Sequence, residues 1–376
     1  MAESPHPVPP GTRLLHIGPQ KTGSTAIQVA LHVAQEELEA YGVHYATGGR
    51  VRPAVAGWAF GLRGRPAGSA RPPMKYWDQL VAQVAASRAD RVLVSNEDFS
   101  RANPEQIPRL LDAFGGPERI RVVLAARRLD LFLPSQWQER VKAGDERPYD
   151  DWLRVVLDRT SDVPSWDRWN VWRSHDLELL VRRWAPHIDL DRITVVMLDE
   201  SDRRQLPAAF ELLLGLPADT IRPVSTRSNR GLTWGECEMF RGINQAFAER
   251  GWPKDVRRRF IRGQILTDLR TRTPPPGPKS PPLPDWAAGT IRELSAQRIE
   301  WLAGSGVDLI GDLDVLRVPD DVETASDPYP EPQIPRQAVG DVVMALIAAA
   351  LAVEEAEEAH VGDVGFDDED KGADLE

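Results

Sequence analysis

Apolar and polar positions follow two recognisable patterns along the first 230 residues of the chain. Four short runs are almost entirely apolar, which is typical of parallel strands covered on both faces; they lie at 13–17, 91–95, 120–128 and 193–199. Between them, apolar residues recur three and four positions apart, which predicts helices at 22–40, 76–87, 104–114, 130–143, 177–184 and 204–214. Strands and helices in alternation predict an α/β fold of three layers, α/β/α, with a central parallel sheet.

The pattern changes after residue 231 and becomes helical. Apolar periodicity predicts helices at about 232–250, 254–270 and 285–303, and a run rich in Gly, Pro and Arg at 48–73 predicts a loop or lid. The stretch TPPPGPKSPPLP predicts a linker. We therefore divide the chain into a disordered N-terminus (1–12), an α/β domain (13–270), a proline-rich linker (271–284), a helical C-terminal region (285–353) and a disordered acidic tail (354–376).

Negative charge is concentrated at the carboxyl end of the chain. The 376 residues carry a formal net charge of −11, but the segment from Glu354 to Glu376 holds eleven acidic residues and one lysine. The other 353 residues are therefore close to neutral, at about −1. A like-charge run with few apolar residues predicts disorder in the tail. In a neutral body, the triplet Arg257–Arg259 indicates a solvated helix face, so no nucleic-acid partner is predicted.

Cysteine usage and apolar run lengths restrict the compartment. Cys237 is the single cysteine, which rules out an intrachain disulfide and a cysteine-cluster metal site and fits a reducing compartment. The opening residues MAESPHPVPPG lack a basic segment followed by an apolar run, as a signal peptide requires. The longest apolar run, 342–353, is about half the length that a bilayer span needs. The sequence predicts a cytoplasmic protein with no membrane span.

The stretch HIGPQKTGSTAIQ, residues 16–28, has the composition of an anion-binding loop. A Gly-rich turn that leads from a strand into a helix presents backbone N–H groups and the positive end of the helix dipole. Lys21 adds a full charge, and three hydroxyl residues lie close behind it. The triphosphate motif G-x-x-x-x-G-K-[ST] is not met, because Lys21 precedes Gly23 instead of following it. The loop therefore predicts a site for a dense anion such as a phosphate.

The order G-P-x-K-T-G-[ST]-T after a short strand resembles the 5′-phosphosulfate-binding loop of the sulfotransferases, which have a P-loop NTPase-like fold. Those enzymes use 3′-phosphoadenosine 5′-phosphosulfate (PAPS) as donor. The resemblance implies that Lys21, Thr22, Gly23, Ser24 and Thr25 hold the donor's 5′-phosphate and sulfuryl group. It also implies that Lys21 stabilises the leaving phosphate and that no metal is required.

A second element of the resemblance lies in VVLAARRLDLFLPSQW. The sulfotransferases carry an Arg at the end of a later strand and a Ser eight residues further on, and both grip the donor's 3′-phosphate. Arg127 and Ser135 match that spacing, with Arg128 as the alternative if the register differs by one residue. An arginine at the carboxyl end of a strand and a hydroxyl of the next helix are able to converge on one phosphate. A later segment resembles a loop that closes over the donor, with Arg227, Asn229 and Arg230 as its candidates.

A hydroxyl acceptor needs a general base, and the sulfotransferases use a His or Glu near the second of these strands. VLVSNEDF places Glu97 just beyond 91–95, where strand ends line the ligand crevice of such folds; Asp98 competes for the role. The other interpretation of Glu97 is a helix cap or an ion pair with Lys21. Among the histidines, His16 is expected in the interior and His175 at the surface. His44 follows the first helix and is the one histidine expected to reach the site; His187 is expected at the surface.

Three tryptophans in SWDRWNVWRSHD recur at three-residue intervals: Trp166, Trp169 and Trp172. This spacing favours packing of a helix against the core, because Trp is a large unit of burial. The other interpretation is an acceptor pocket, since sugars stack on Trp faces. The sequence carries no code that names the acceptor.

The most specific interpretation is a sulfotransferase that moves a sulfuryl group from PAPS to a hydroxyl, or less readily an amine, of a small molecule or glycan. Lys21 and Glu97 are its catalytic candidates. One alternative is a kinase that uses the same loop for a nucleoside triphosphate, with Asp199 as the only strand-end candidate for magnesium. Another is a non-catalytic relative that binds a nucleotide. The oligomeric state is not predicted.

Overall fold

The computed structural model describes residues 6–50, 52–62, 70–224, 231–269 and 271–346. Its centre is a six-stranded sheet of order β2-β3-β1-β4-β5-β7 in which every neighbouring pair is parallel. A parallel pair, β6 with β8, lies apart from it. The strands are β1 (Arg13–His16), β2 (Val43–Tyr45), β3 (Arg91–Ser95), β4 (Ile120–Ala126), β5 (Ile193–Met197), β6 (Leu283–Pro284), β7 (Asp308–Ile310) and β8 (Thr324–Ala325).

Helices cover both faces of the sheet and build the rest of the described chain. They are α1 (Ser24–Val33), α2 (Gln35–Ala40), α3 (Ala54–Phe60), α4 (Lys75–Ala86), α5 (Gln106–Ala113), α6 (Leu129–Ala143), α7 (Tyr149–Leu157), α8 (Trp166–His175), α9 (Leu177–Trp184), α10 (Gln205–Leu214), α11 (Trp234–Glu249), α12 (Lys254–Arg257), α13 (Leu266–Leu269) and α14 (Asp285–Gly304). A π-helical stretch (Arg258–Ile265) joins α12 to α13, and 336–346 is also helical. Among these described helices, every one is too short or too polar to span a bilayer.

The three layers follow from the two-residue period of the strands. Successive residues of β1, such as Leu14 and Leu15, enter hydrophobic clusters on opposite faces of the sheet. The cluster with Leu14 packs against α1, α2 and α10, and the cluster with Leu15 against α4, α5 and α9. Because both faces are buried, the middle positions of β1, β3 and β4 are apolar, as the sequence predicted. The α/β fold with a central parallel sheet is confirmed.

A third hydrophobic cluster lies among helices beyond the sheet. It joins α6, α7, α8 and α11 with α13 and α14, around the fully buried Trp137 and Trp152. The region after residue 285 is largely helical, and it also adds β7 to the edge of the main sheet beside β5. Leu302 of α14 and Leu316 pack into the same cluster as the sheet. The C-terminal region therefore extends the sheet beside β5 and contributes to the helical cluster as well.

Several predictions differ from the structure. The N-terminus (1–12) was expected to be disordered, yet in its described part Val8 is buried and its N–H donates to the carbonyl of Leu213 at 2.8 Å. The predicted helix 254–270 has a π-helical middle between α12 and α13.

The prediction of a continuous loop or lid at 48–73 is wrong for its described part, because residues 54–60 form α3. Asn96 explains this helix, since its side chain donates to the carbonyl of Pro53 and fixes the entry into α3. The predicted helix 22–40 is interrupted at Ala34, which separates α1 from α2. Residues 63–69 of the predicted lid lie outside the described residues.

Candidate functional site

The loop between β1 and α1 is held in an unusual backbone conformation. Gly18 and Gly23 have φ of 91° and 82°, and Lys21 has φ of 68°, in the left-handed region that non-glycine residues rarely adopt. A Cβ at Gly18 would lie 2.8 Å from the Cβ of Glu97, so only glycine fits there. The Gly18 carbonyl accepts from the N–H of Ala125 at 2.8 Å. The loop is thus seated against the ends of both β3 and β4.

The side chain of Gln20 fastens the other side of the loop. Its Nε2 donates to Oδ1 of Asp98 at 3.3 Å, and its Oε1 accepts from Arg101 at 3.1 Å. Asp98 and Arg101 belong to the 3₁₀ turn that follows β3 (Glu97–Arg101). The loop and this turn therefore form one surface, and a ligand on the loop lies beside the residues that follow β3.

Lys21 points its ammonium group towards α6. Its Nζ lies 2.7 Å from Oε1 of Glu139, which also binds Lys142 at 2.9 Å. Burial tends to raise the pKa of Glu139, but Lys142 and Lys21 outweigh it and lower this pKa to about 2. Burial lowers the pKa of Lys21, and Glu139 opposes that shift. Two cations thus share one carboxylate at the loop, and Lys21 pairs with Glu139, not with Glu97.

Arg127 lies at the end of β4 and meets the same loop. Its Nη1 donates to the carbonyl of Lys21 at 3.2 Å, and its guanidinium binds both carboxylate oxygens of Glu200, at 2.6 and 3.0 Å. Arg128 turns away and pairs with Asp130 through two bonds of 2.8 Å. The structure therefore brings Arg127, and not its neighbour, to the loop.

A buried arginine of the C-terminal region binds the end of β4. Arg298 of α14 donates from Nη1 to the carbonyl of Arg127 at 2.8 Å. Burial lowers the pKa of Arg298 to about 10, so it stays charged at neutral pH. The C-terminal region thereby adds positive charge behind the site, where the carboxyl ends of β1 and β4 meet.

The loop hydroxyls divide into two groups. Thr22 and Ser24 are buried, and both donate to the carbonyl of Pro19, at 2.6 and 3.2 Å. Thr25 is only partly buried and accepts from Arg52 at 3.2 Å. Among the described residues, no side chain caps the first turn of α1, which begins after Gly23. In this conformation the two buried hydroxyls are thus turned to the Pro19 carbonyl, and the described side chains leave the first turn of α1 without a cap.

Ser135 lies one helical turn before Glu139 on α6. Residues four apart share a helix face, so Ser135 is on the face that meets Lys21. It is partly buried, like Arg127. Arg127 meets the Lys21 carbonyl directly, and Ser135 lies on α6 one turn from the carboxylate that holds the Lys21 ammonium group.

The candidate base meets the loop at Gly18, whereas Glu139 meets it at Lys21. Glu97 opens the turn after β3 and is partly exposed, whereas Asp98 is fully buried. Oε2 of Glu97 accepts from Gln28 at 2.9 Å. The same Gln28 amide donates to Oγ of Ser95 at 3.2 Å, and this Oγ lies 2.7 Å from Nδ1 of His16. A chain of polar groups thus runs from the interior to Glu97.

His16 is fully buried, as expected, and packs edge-on against Phe210. Burial lowers its pKa to about 4, although the charge of Glu97 opposes the shift. His44 is half-buried on β2, where it pairs with Glu39 at 3.6 Å. The expectation that His175 is a surface residue is wrong: it is buried and stacked on Phe132 with ring centroids 3.6 Å apart.

We expect the free energy of unfolding of His16→Gln to fall less than that of the wild type when the pH is lowered. Because His16 titrates near 6.5 unfolded but about 4 folded, the unfolded state binds more protons between these values, and stability falls as pH drops. Over this window the wild type loses about 3 kcal/mol through this group. Urea unfolding at pH 7 and pH 4 measures the difference, with exposed His6→Gln as control. An unchanged pH dependence in His16→Gln contradicts the assignment.

The packing interpretation of the tryptophans is correct only for Trp172, which is buried and donates to the carbonyl of Val156. Trp166 and Trp169 are 53% and 49% exposed. The third predicted element, with Arg227, Asn229 and Arg230, lies outside the described residues.

Several residues of this site were missed in the sequence. Helical spacing gives two of them, since Glu139 lies four residues after Ser135 and Gln28 four after Ser24. The other missed residues carry no local signal, because they come from distant segments that the fold brings to the loop: Arg52, Glu200 and Arg298.

Comparison with known proteins adds a distant structural likeness. No protein-family profile matches the sequence, and no curated protein matches it. A solved structure that is similar is a sulfotransferase from Alicyclobacillus acidocaldarius, with 14% sequence identity and a TM-score of 0.40; the match covers 66% of this chain and 99% of that chain. A likeness this distant carries no argument about activity.

Proposed function

We propose that this protein is a sulfotransferase that transfers a sulfuryl group from PAPS to the hydroxyl of an acceptor. The observation that carries the proposal is the convergence of Lys21 and Arg127 from two strand ends, with the Arg127 guanidinium 3.2 Å from the Lys21 carbonyl. Two cations beside an uncapped helix start suit a ligand with two separate phosphate groups. An adenosine that is phosphorylated at both the 3′ and the 5′ oxygen of its ribose has that charge pattern.

In this structure both cations form ion pairs with carboxylates of the chain itself. Glu139 binds Lys21 and Glu200 binds Arg127 through the same kind of charge-assisted bonds that phosphate oxygens make. In the proposal, the donor's 5′-phosphosulfate replaces Glu139 at Lys21, and its 3′-phosphate replaces Glu200 at Arg127, with Ser135 alongside. Lys142 keeps Glu139 neutralised when Lys21 moves to the donor.

In the proposed reaction the acceptor oxygen attacks sulfur in line with the bond to the leaving phosphate oxygen. The S–O bond to the acceptor forms, the bond to the 5′-phosphate breaks, and the electron pair stays on that phosphate. Lys21 neutralises this growing charge. Glu97 takes the proton of the acceptor hydroxyl. Lys21 is part of the loop, and Glu97 packs against it at Gly18.

Calorimetry separates this function from a kinase. We expect the protein to bind adenosine 3′,5′-bisphosphate in the micromolar range and ATP with magnesium much more weakly. The kinase alternative predicts the reverse order. Asp199, its magnesium candidate, accepts from the N–H and hydroxyl of Ser201 at 2.8 and 2.7 Å. Transfer from radiolabelled PAPS across alcohols, phenols and sugars then identifies the acceptor.

Arg127→Gln is expected to weaken binding of adenosine 3′,5′-bisphosphate by about 30-fold, because about 2 kcal/mol of charge-assisted hydrogen bonding is lost. Titration calorimetry of the folded variant measures it. Binding of adenosine 5′-phosphate, which lacks the 3′-phosphate, is expected to change less than threefold.

Arg128→Gln is the matched control, since it removes the same charge one residue away. Arg128 is committed to Asp130, so its loss is expected to lower stability and leave the affinity of folded protein within threefold of wild type. Equal loss of affinity in both variants would assign the effect to general charge and not to a phosphate contact.

A further inference from the structure

The exposed tryptophans of α8 form a surface that the proposed transfer reaction does not yet use. Trp166 and Trp169 lie three residues apart, one helical turn or about 5 Å along the axis. They are half-exposed, whereas the opposite face of α8 is buried. We call the surface of Trp166, Trp169 and Arg173 the indole platform.

The platform borders the donor loop. Trp166, Asn170 and Arg173 share one face of α8, because they are four and three residues apart. Asn170 accepts from Arg101 at 2.7 Å, and Arg173 donates to the Arg101 carbonyl at 2.9 Å. Arg101 also binds Gln20 of the loop. Trp166 lies one turn further along this face, so the platform extends from the edge of the loop.

Guanidinium groups lie over both indole rings. Arg140 is 4.7 Å from the ring centre of Trp166, and Arg173 is 5.1 Å from that of Trp169. The cation–π contacts hold the rings in place. Arg140 is neutralised by Asp167 at 2.6 Å. Among the described carboxylates, none lies within 4 Å of Arg173, so its charge is not paired inside this part of the chain.

We infer that the indole platform binds the acceptor and that this acceptor is an anionic sugar. A pyranose ring stacks on an indole face through its C–H groups, and two indoles one turn apart fit two consecutive rings. The guanidinium of Arg173, which forms no ion pair with any described carboxylate, supplies the complement to a carboxylate or sulfate on a sugar ring at Trp169. This inference rests on the proposed function, since it names the acceptor class for that site.

Binding of a hyaluronan tetrasaccharide tests the inference without turnover. Calorimetry on the full chain saturated with adenosine 3′,5′-bisphosphate is expected to show binding. Trp169→Ala is expected to reduce the affinity at least tenfold and Trp166→Ala about fivefold. Trp252→Ala is the matched control, because Trp252 is 52% exposed and lies under Arg250 at 5.7 Å. Its affinity is expected to equal that of wild type.

The role of charge has its own comparison. Chitotetraose, which is neutral, is expected to bind the wild type at least fivefold more weakly than hyaluronan does. The Arg173→Gln variant is expected to bind the two sugars with equal affinity. A preference for chitotetraose, tighter binding of the flat anion 2-naphthoate, or equal losses in Trp169→Ala and Trp252→Ala overturns the inference.

The outcome is separable from that of the proposed function. Binding of adenosine 3′,5′-bisphosphate without any binding of hyaluronan overturns the platform and leaves the donor site standing. Binding of hyaluronan that depends on Trp169, in a protein that does not bind the bisphosphate, supports the platform and overturns the sulfotransferase proposal.

Discussion

Lys21→Met lowers kcat for sulfuryl transfer by about 10³-fold and changes the affinity for adenosine 3′,5′-bisphosphate by much less. The ammonium group is proposed to act where charge develops, on the departing phosphate, and loss of one such group costs about 10²–10³ in kcat. Single-turnover transfer from radiolabelled PAPS measures this step apart from product release. A reduced affinity with unchanged kcat would show that Lys21 binds the ground state and transition state equally.

Lys142→Met is the matched control for this variant. It removes the same charge from the same carboxylate, since Lys21 and Lys142 both bind Glu139, but Lys142 belongs to α6 and not to the loop. We expect its kcat to fall less than tenfold. If kcat falls equally in the two variants, the effect comes from the loss of any positive charge beside Glu139 and not from Lys21 in particular.

Lys21→Gly separates activity from folding at the same position. Lys21 has φ of 68°, a conformation that costs an L-residue roughly 1–2 kcal/mol and a glycine almost nothing. We expect Lys21→Gly to unfold at or above the midpoint of Lys21→Met in urea while being equally inactive. A lower midpoint for the glycine variant would contradict the strained backbone at this residue.

The sequence predicted the sheet well because its signal is local. A strand buried on both faces is apolar at every position, so β3 could be read from RVLVS with its bounds, and β4 from its longer apolar run. Lys21 was predicted from the anion-binding composition of its loop. Arg127 was predicted from the resemblance to the sulfotransferases, with the meeting of parallel strand ends at one edge as the physical support.

What the sequence missed depends on contacts between distant segments. Strand β7 has only three residues, and its pairing with β5 decides that it is a strand at all. His175 was expected at the surface because it lies in a helical insert, yet it is buried, with Phe132 of α6 stacked on it and Arg298 of α14 close enough to help lower its pKa. The exposure of Trp166 and Trp169 follows from which face of α8 meets the turn after β3.

Glu97→Gln is expected to lower kcat by 10²–10⁴ and to leave the affinity for adenosine 3′,5′-bisphosphate within threefold of wild type, because a general base acts on the acceptor alone. Glutamine preserves the packing of this residue against Gly18 and an oxygen for the amide of Gln28. Steady-state kinetics with saturating PAPS measures the loss, and binding of the bisphosphate serves as the check on folding.

Asp98→Asn distinguishes the two adjacent carboxylates. Asp98 is fully buried and accepts from Gln20 of the loop, so it lacks a path to an acceptor and its loss should act through the loop. We expect weaker bisphosphate binding with kcat within tenfold of wild type. If Asp98→Asn instead abolishes turnover while Glu97→Gln retains it, the base is Asp98 and the loop must open to expose it. If both retain turnover, the acceptor is deprotonated without either carboxylate, which an amine acceptor that reacts in its neutral form explains.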